Sequence, residues 1–241
     1  MNKAIFNSGL IGVFALFLFI SFTACSYMDE TAPFSNEDSE IVNYAENFAL
    51  AHNDCLDYCF KNLNSSTKAS VIFTSLEEFD SKIAELANSY VESRTTISLK
   101  SSIQFFTIET IYSITIPAIR NQMNDTELFF IDRILAEKPN ERGTLDRIIS
   151  EVILDKTLSD LQKKAVCSFI TVYEKSSTYW QKNLQDWLTL KTTLVPNHIT
   201  TRLAAWIAAD CYWGWYGTVA SGGNGIVGAG AAAVASACMA M

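Results

Sequence analysis

The chain has 241 residues, with 18 Lys and Arg against 26 Asp and Glu, a net charge of −8, and 49% apolar residues. That charge disfavours nucleic acid and anionic membrane surfaces, because neither direct attraction nor counterion release would help binding. The length suffices for one domain with a sizeable core, or for two small ones.

The first residues read as a leader. Lys3 precedes the apolar run "GLIGVFALFLFISF", and small residues follow just before Cys25, the arrangement of a secretory signal. The tetrad "FTAC" resembles a bacterial lipobox, which implies cleavage ahead of Cys25 and acylation of its thiol, with palmitate among the added chains. The lipid membrane, reached through acylated Cys25, is then the first expected partner. Removing residues 1–24 removes Lys3, one of the 18 basic residues, and no acid, so the net charge moves from −8 to −9.

Residues 25–40 carry Asp29, Glu30, Glu37, Asp38 and Glu40 without a basic residue. Such a run buries too little apolar surface to order itself and is expected to be a tether. Acids soon after a lipidated Cys also resemble the export signal of surface lipoproteins. The expected location is the outer membrane, lipid-anchored, with the surface-exposed face as one of two arrangements.

A helical domain is expected over 41–195. Ile41, Tyr44, Phe48, Cys55, Leu56, Cys59 and Leu63 recur at helical spacing, and "NLNSS" is expected to stop that helix. Ser75 and Glu78 have capping-box spacing ahead of a stripe of Leu76, Phe79, Ile83, Leu86 and Tyr90. The run "TTISLKSSIQFFTIETIYSITI" is rich in β-branched residues but lacks turn punctuation, and reads as a buried helix ended near Pro117. Shorter helices follow after "NQMND" and from Leu145 to Leu154. The longest runs from about Leu158 to Leu190, opened by Ser159 and Gln162 and ended by "TTLVPNH".

The remaining residues, 196–241, are rich in Gly and Ala, and from Leu203 onward Asp210 is the one carboxylate, with no Lys, Arg or His. Gly214, Thr218 and Gly222 stand four apart, as do Gly228, Ala232 and Ser236, so each arm has a flat stripe suited to close backbone approach. "SGGNG" between them supplies a tight turn. A helix from Thr200 to Ser221 would be about 33 Å long and one from Ile226 to Met241 about 24 Å; with Asp210 mid-span, the segment is a poor membrane span. The fold class is therefore all-α, a helical bundle with a C-terminal Gly/Ala-rich helical hairpin. Trp206, Tyr212, Trp213, Trp215 and Tyr216 suit either a core edge or a lipid interface.

The densest polar cluster is "HNDCLDYCF". His52, Cys55 and Cys59 share a helix face and form a candidate metal set, although a fourth ligand is missing and His198 is the one other histidine. The competing reading is two buried cysteines beside a histidine bonded within the fold. Asp54 and Asp57 lie three apart and, with Asp210, are the candidate functional carboxylates. No G-x-S-x-G elbow, phosphate loop or H-E-x-x-H occurs, and no cofactor is implied. Five cysteines besides Cys25, an odd number, are expected mostly as buried thiols.

"HNDCLDYCFKNL" resembles an H-N-x-x-L-D-Y-x-x-x-x-L element of uncharacterised Bacteroidota lipoproteins, some of which end in an Ala/Gly-rich segment opening with an A-D dipeptide, as Ala209-Asp210 does here. That resemblance implies location and kinship and no activity. The expected function is a non-enzymatic binding or structural role in the cell envelope. One alternative is a membrane-active or self-assembling protein, similar to bacteriocins, acting through 203–241, where a protein partner or a second copy would bind. Another is a metal-dependent or hydrolytic enzyme centred on His52.

Overall fold

A computed structural model describes residues 36–68, 73–95, 114–137, 142–194 and 203–239. The leader, Cys25, most of the acidic segment and His198 lie outside the described residues. The chain divides into a unit ending at Glu37 and a second one, Asp38–Met241, and it is the second that is described below. It is all-α, with no strand among the described residues.

The first helix, α1 (Asn36–Lys68), starts inside the expected tether and runs through "NLNSS". Those polar residues do not break it because they bond back onto their own helix: Asn62 Nδ2 donates to Tyr58 O at 2.8 Å and Ser65 Oγ to Lys61 O at 2.9 Å. Helix α2 (Leu76–Arg94) opens as expected on Ser75, whose Oγ accepts from Glu78 N–H at 3.2 Å. The Glu78 carboxylate returns to the Thr74 N–H and hydroxyl, both at 2.8 Å.

The expected helix ending near Pro117 needs correction at its two described ends. Thr95 is extended, and Thr115 caps a new short helix, α3 (Ile116–Arg120), with Pro117 in its first turn. Proline lacks the N–H that a first turn leaves unpaired anyway, so it starts this helix instead of ending one. Residues 96–113 of that run lie outside the described residues.

Helix α4 (Asp125–Glu137) is held by a reciprocal box in which Glu127 N–H donates to Asn124 Oδ1 at 2.8 Å and Asn124 N–H to Glu127 Oε2 at 2.9 Å. Helix α5 (Arg142–Leu154) follows, then α6 (Asp160–Leu194), where Ser159 N–H donates to Gln162 Oε1 at 2.9 Å. The last two, α7 (Leu203–Ala220) and α8 (Gly225–Met239), form the expected hairpin. Its turn uses Gly222 and Gly223 at φ +62° and +86°. Gly223 N–H reaches back to Thr218 O at 2.9 Å, and Asn224 Oδ1 caps α8 by accepting from Val227 N–H at 3.2 Å.

The hairpin occupies the centre. Every residue from Val227 to Cys238 is buried, and α1, α2, α3, α4 and α6 each touch the hairpin. Phe48 of α1 lies against Gly214 and Gly228, Val91 of α2 against Gly230, and Val172 of α6 against Gly214. From α3, Arg120 donates to the Tyr212 hydroxyl at 2.6 Å, and Glu127 of α4 accepts from Trp215 Nε1 at 3.1 Å. The outer helices are amphipathic while α7 and α8 are apolar on all faces, the sequence character of a fully buried helix.

Candidate functional site

The polar centre of the bundle joins the His52 segment of α1 to the Ala209-Asp210 segment of α7. His52 on α1 and Asp210 on α7 are each fully buried, and Nε2 stands 3.2 Å from Oδ1, a close charge contact without good hydrogen-bond alignment. The other oxygen, Oδ2, accepts from the Ser176 hydroxyl and, at 2.7 Å, from Trp180 Nε1, both on α6. On the far side of the imidazole, Nδ1 lies 2.9 Å from Asn53 Oδ1, an orientation fixed because Asn53 Nδ2 donates to Lys175 O at 3.3 Å. Both ring nitrogens therefore face acceptors, which favours the doubly protonated ring.

Electrostatics agree with that geometry. Burial acts to lower the His52 pKa, but the close Asp210 charge and the Asn53 acceptor at the other ring nitrogen more than offset it, and the value is raised. Above the cluster Trp180 meets Trp206 edge to face at 4.2 Å between ring centroids, and Trp187 lies beyond at 5.8 Å. The carboxylate beneath Trp180 is fully buried.

A base-activated nucleophile needs histidine between hydroxyl and carboxylate. Here Asp210 stands between Ser176 and His52, so the imidazole does not reach the hydroxyl. What the arrangement does is join α1, α6 and α7 through one buried carboxylate that accepts two hydrogen bonds and stands in close charge contact with the imidazole.

The metal set does not converge. His52 turns to Asp210, whereas the Cys59 thiol points at Ile83 O, 3.9 Å away on α2. Among the described residues no group of three His, Cys, Asp or Glu is arranged to hold a metal ion. Cys55, Cys59, Cys167, Cys211 and Cys238 are all free and buried. Burial pushes the Cys167 thiol up to about 12, and burial with the Asp210 charge raises Cys211 as well. Such thiols are unreactive.

The other expected carboxylates separate. Asp54 is exposed and lies 3.5 Å from Arg94. Asp57 lines a depression of about 20 Å³ with Phe60, Tyr179, Asn183, Asp186 and Trp187, room for about one water.

In the hairpin, the closest approach is between Gly217 and Gly228. A Cβ placed on Gly217 would stand 2.6 Å from Gly228 O, and one on Gly228 would stand 2.8 Å from the Gly217 carbonyl carbon. Gly228 was expected at this contact; Gly217, offset from the expected stripe, was not. Gly214 faces Phe48 and Val172, and Gly222 sits in the turn. Thr218, Ala232 and Ser236 are buried, with the Thr218 hydroxyl returned to Gly214 O at 2.9 Å.

Sequence reading missed Ser176 and also Glu127, whose buried carboxylate accepts from Trp215. The Asn124–Glu127 spacing was the available signal for Glu127. Among the described residues no helix is long and apolar enough to cross a membrane. The fold and site define a class: an all-α bundle around a buried apolar hairpin. No family model, curated protein or solved structure matches the chain.

Proposed function

We infer that the chain is a cell-envelope lipoprotein, acylated at Cys25 and held at the outer membrane, whose helical domain serves a binding or structural role. The leader, the "FTAC" tetrad and the acids after Cys25 support the location. The domain's role is carried by one observation. The His52, Ser176, Asp210 and Trp180 constellation is fully buried and ordered to tie three helices together instead of passing a proton to a nucleophile. The hairpin that would serve the membrane-active alternative is covered by five other helices, which makes it core.

Metabolic labelling with palmitate tests the location. Label is expected in the wild-type chain and lost in Cys25→Ser; label retained in that variant, or missing from wild type, refutes it. Vesicle leakage tests the membrane-active alternative. Purified folded protein is expected to release no dye from liposomes, and release that disappears in Gly228→Leu would restore that reading.

A further inference from the structure

The hairpin has an unusual problem of position. Its facing surfaces are Gly and Ala over most of α8, and small side chains offer few knobs to define a register. Sliding such a helix exchanges one small residue for another at little loss of buried area, and steric resistance is confined to a few points, where Phe48 meets Gly228 and Val91 meets Gly230. The Gly217–Gly228 contact fixes the two arms relative to one another but says nothing of where the pair sits in the sheath.

Polar ties to the sheath are few: besides those of Asp210, Arg120 donates to the Tyr212 hydroxyl, Trp215 Nε1 donates to Glu127, and the Cys238 thiol faces Asp80 O. Among the described residues α8 has no charged side chain, and α7 has Asp210 alone. Around Asp210, burial is complete and the partners come from two different helices: His52 on α1, and Ser176 and Trp180 on α6. Shifting α7 by one residue turns a side chain by about 100°, which would take the carboxylate away from His52, Ser176 and Trp180. An unpaired buried charge is among the most strongly penalised states of a protein interior.

We propose that the His52–Asp210 pair, with Ser176 and Trp180, is the positional pin of the α7–α8 hairpin: apolar burial keeps the hairpin inside, and this cluster selects its single register there. Pinning by a lone buried polar group is known for coiled-coil registers, where it reduces stability while fixing one arrangement. Here the same logic acts on a hairpin within one chain. The proposal concerns the fold and stands whether or not the chain is acylated.

The experiment replaces the pair by an apolar one, His52→Leu with Asp210→Leu, in the full-length protein and follows amide hydrogen exchange and far-ultraviolet circular dichroism. Helix content should stay at the wild-type level. Exchange within α7 and α8 should accelerate on the order of tenfold or more relative to α4 and α5, the internal reference.

Uniform acceleration across all helices would overturn the proposal, because it would assign the pair a plain share of global stability. Unchanged relative exchange would overturn it too, and so would failure of the double variant to fold, since burial alone would then be insufficient to keep the hairpin inside. A second variant, Asp210→Asn, keeps the side-chain shape and removes the charge. It is expected to give a smaller acceleration confined to the same two helices, and acceleration elsewhere instead would count against the pin.

Discussion

Helices α4 and α5 and helices α7 and α8 are two consecutive pairs held together by opposite means. The first pair packs on α6 with its apolar face, including Phe130, Ile131, Ile134, Ile148 and Val152. Its outer face is laced with polar contacts: Arg133 with Glu137 at 3.0 Å, Arg133 with Glu151, and Thr126 with Thr157 at 3.3 Å. Water can replace any of these contacts. The second pair has no polar outer face, and its arms meet through backbone at Gly217 and Gly228. Apart from the part-buried Arg120–Tyr212 contact, its side-chain hydrogen bonds to other helices are buried, and there water cannot replace a lost partner. Energetic weight should therefore concentrate at very few positions in α7 and α8 and spread thinly over α4 and α5.

The largest expected effect breaks the pair at the centre. Asp210→Ala leaves a buried imidazolium without its counter-charge and should cost about 3–5 kcal/mol, read as a lower urea midpoint. A loss as small as that of an exposed ion pair would erase the contrast. Next comes Gly217→Ala, where the added carbon meets Gly228 at 2.6 Å from its carbonyl oxygen. Separating the two backbones should cost about 1–3 kcal/mol, also read from urea unfolding. An unchanged midpoint would mean that the arms are not in close contact.

Stability against pH sharpens the same comparison. Folded His52 titrates above its ordinary value of 6.5. The pair's contribution is therefore complete below pH 6.5 and is lost as the pH rises through the shifted value. Unfolding free energy should fall across that window in wild type, and this fall should be missing in His52→Gln, as followed by denaturation at a series of pH values. Equal slopes in both proteins would remove His52 as the origin.

Smaller effects belong to the outer pair. Arg133→Ala removes a partly exposed link and should cost less than about 1 kcal/mol, weakened further by salt. Gly143→Ala should be neutral or stabilising by about 0.5 kcal/mol, since nothing stands within 4 Å of the added carbon. Thermal melts in low and high salt distinguish these from the hairpin positions.

The outer helices were legible because their signals are local. Ser75 with Glu78 and Ser159 with Gln162 set helix starts through bonds spanning three residues, and the stripe from Phe79 to Tyr90 follows the helical period that burial requires. Local signals also misled. "NLNSS" has the composition of a stop, but side chains that bond back to carbonyls four residues earlier keep α1 intact. Pro117 has the look of a helix end, but its missing N–H equally suits a beginning.

The site was half legible. His52 stood out within the polar cluster of its helix and Asp210 as the lone carboxylate of the hairpin, but nothing in the spacing joins residues 158 positions apart. Ser176 gave no sign, because a serine on a long amphipathic helix looks the same whether it faces water or a carboxylate.

Sequence alone determined the all-α class, the hairpin and its glycine turn, because helical period, capping and φ > 0 are properties of neighbouring residues. Tertiary structure alone decided that Gly217 and not Gly214 meets α8, that the hairpin is covered by five helices, and that His52 spends both its nitrogens within the core. Those outcomes depend on which faces meet across long stretches of chain. Burial then sets their energetic weight, since a charge that water would have solvated at the surface must find its partner inside.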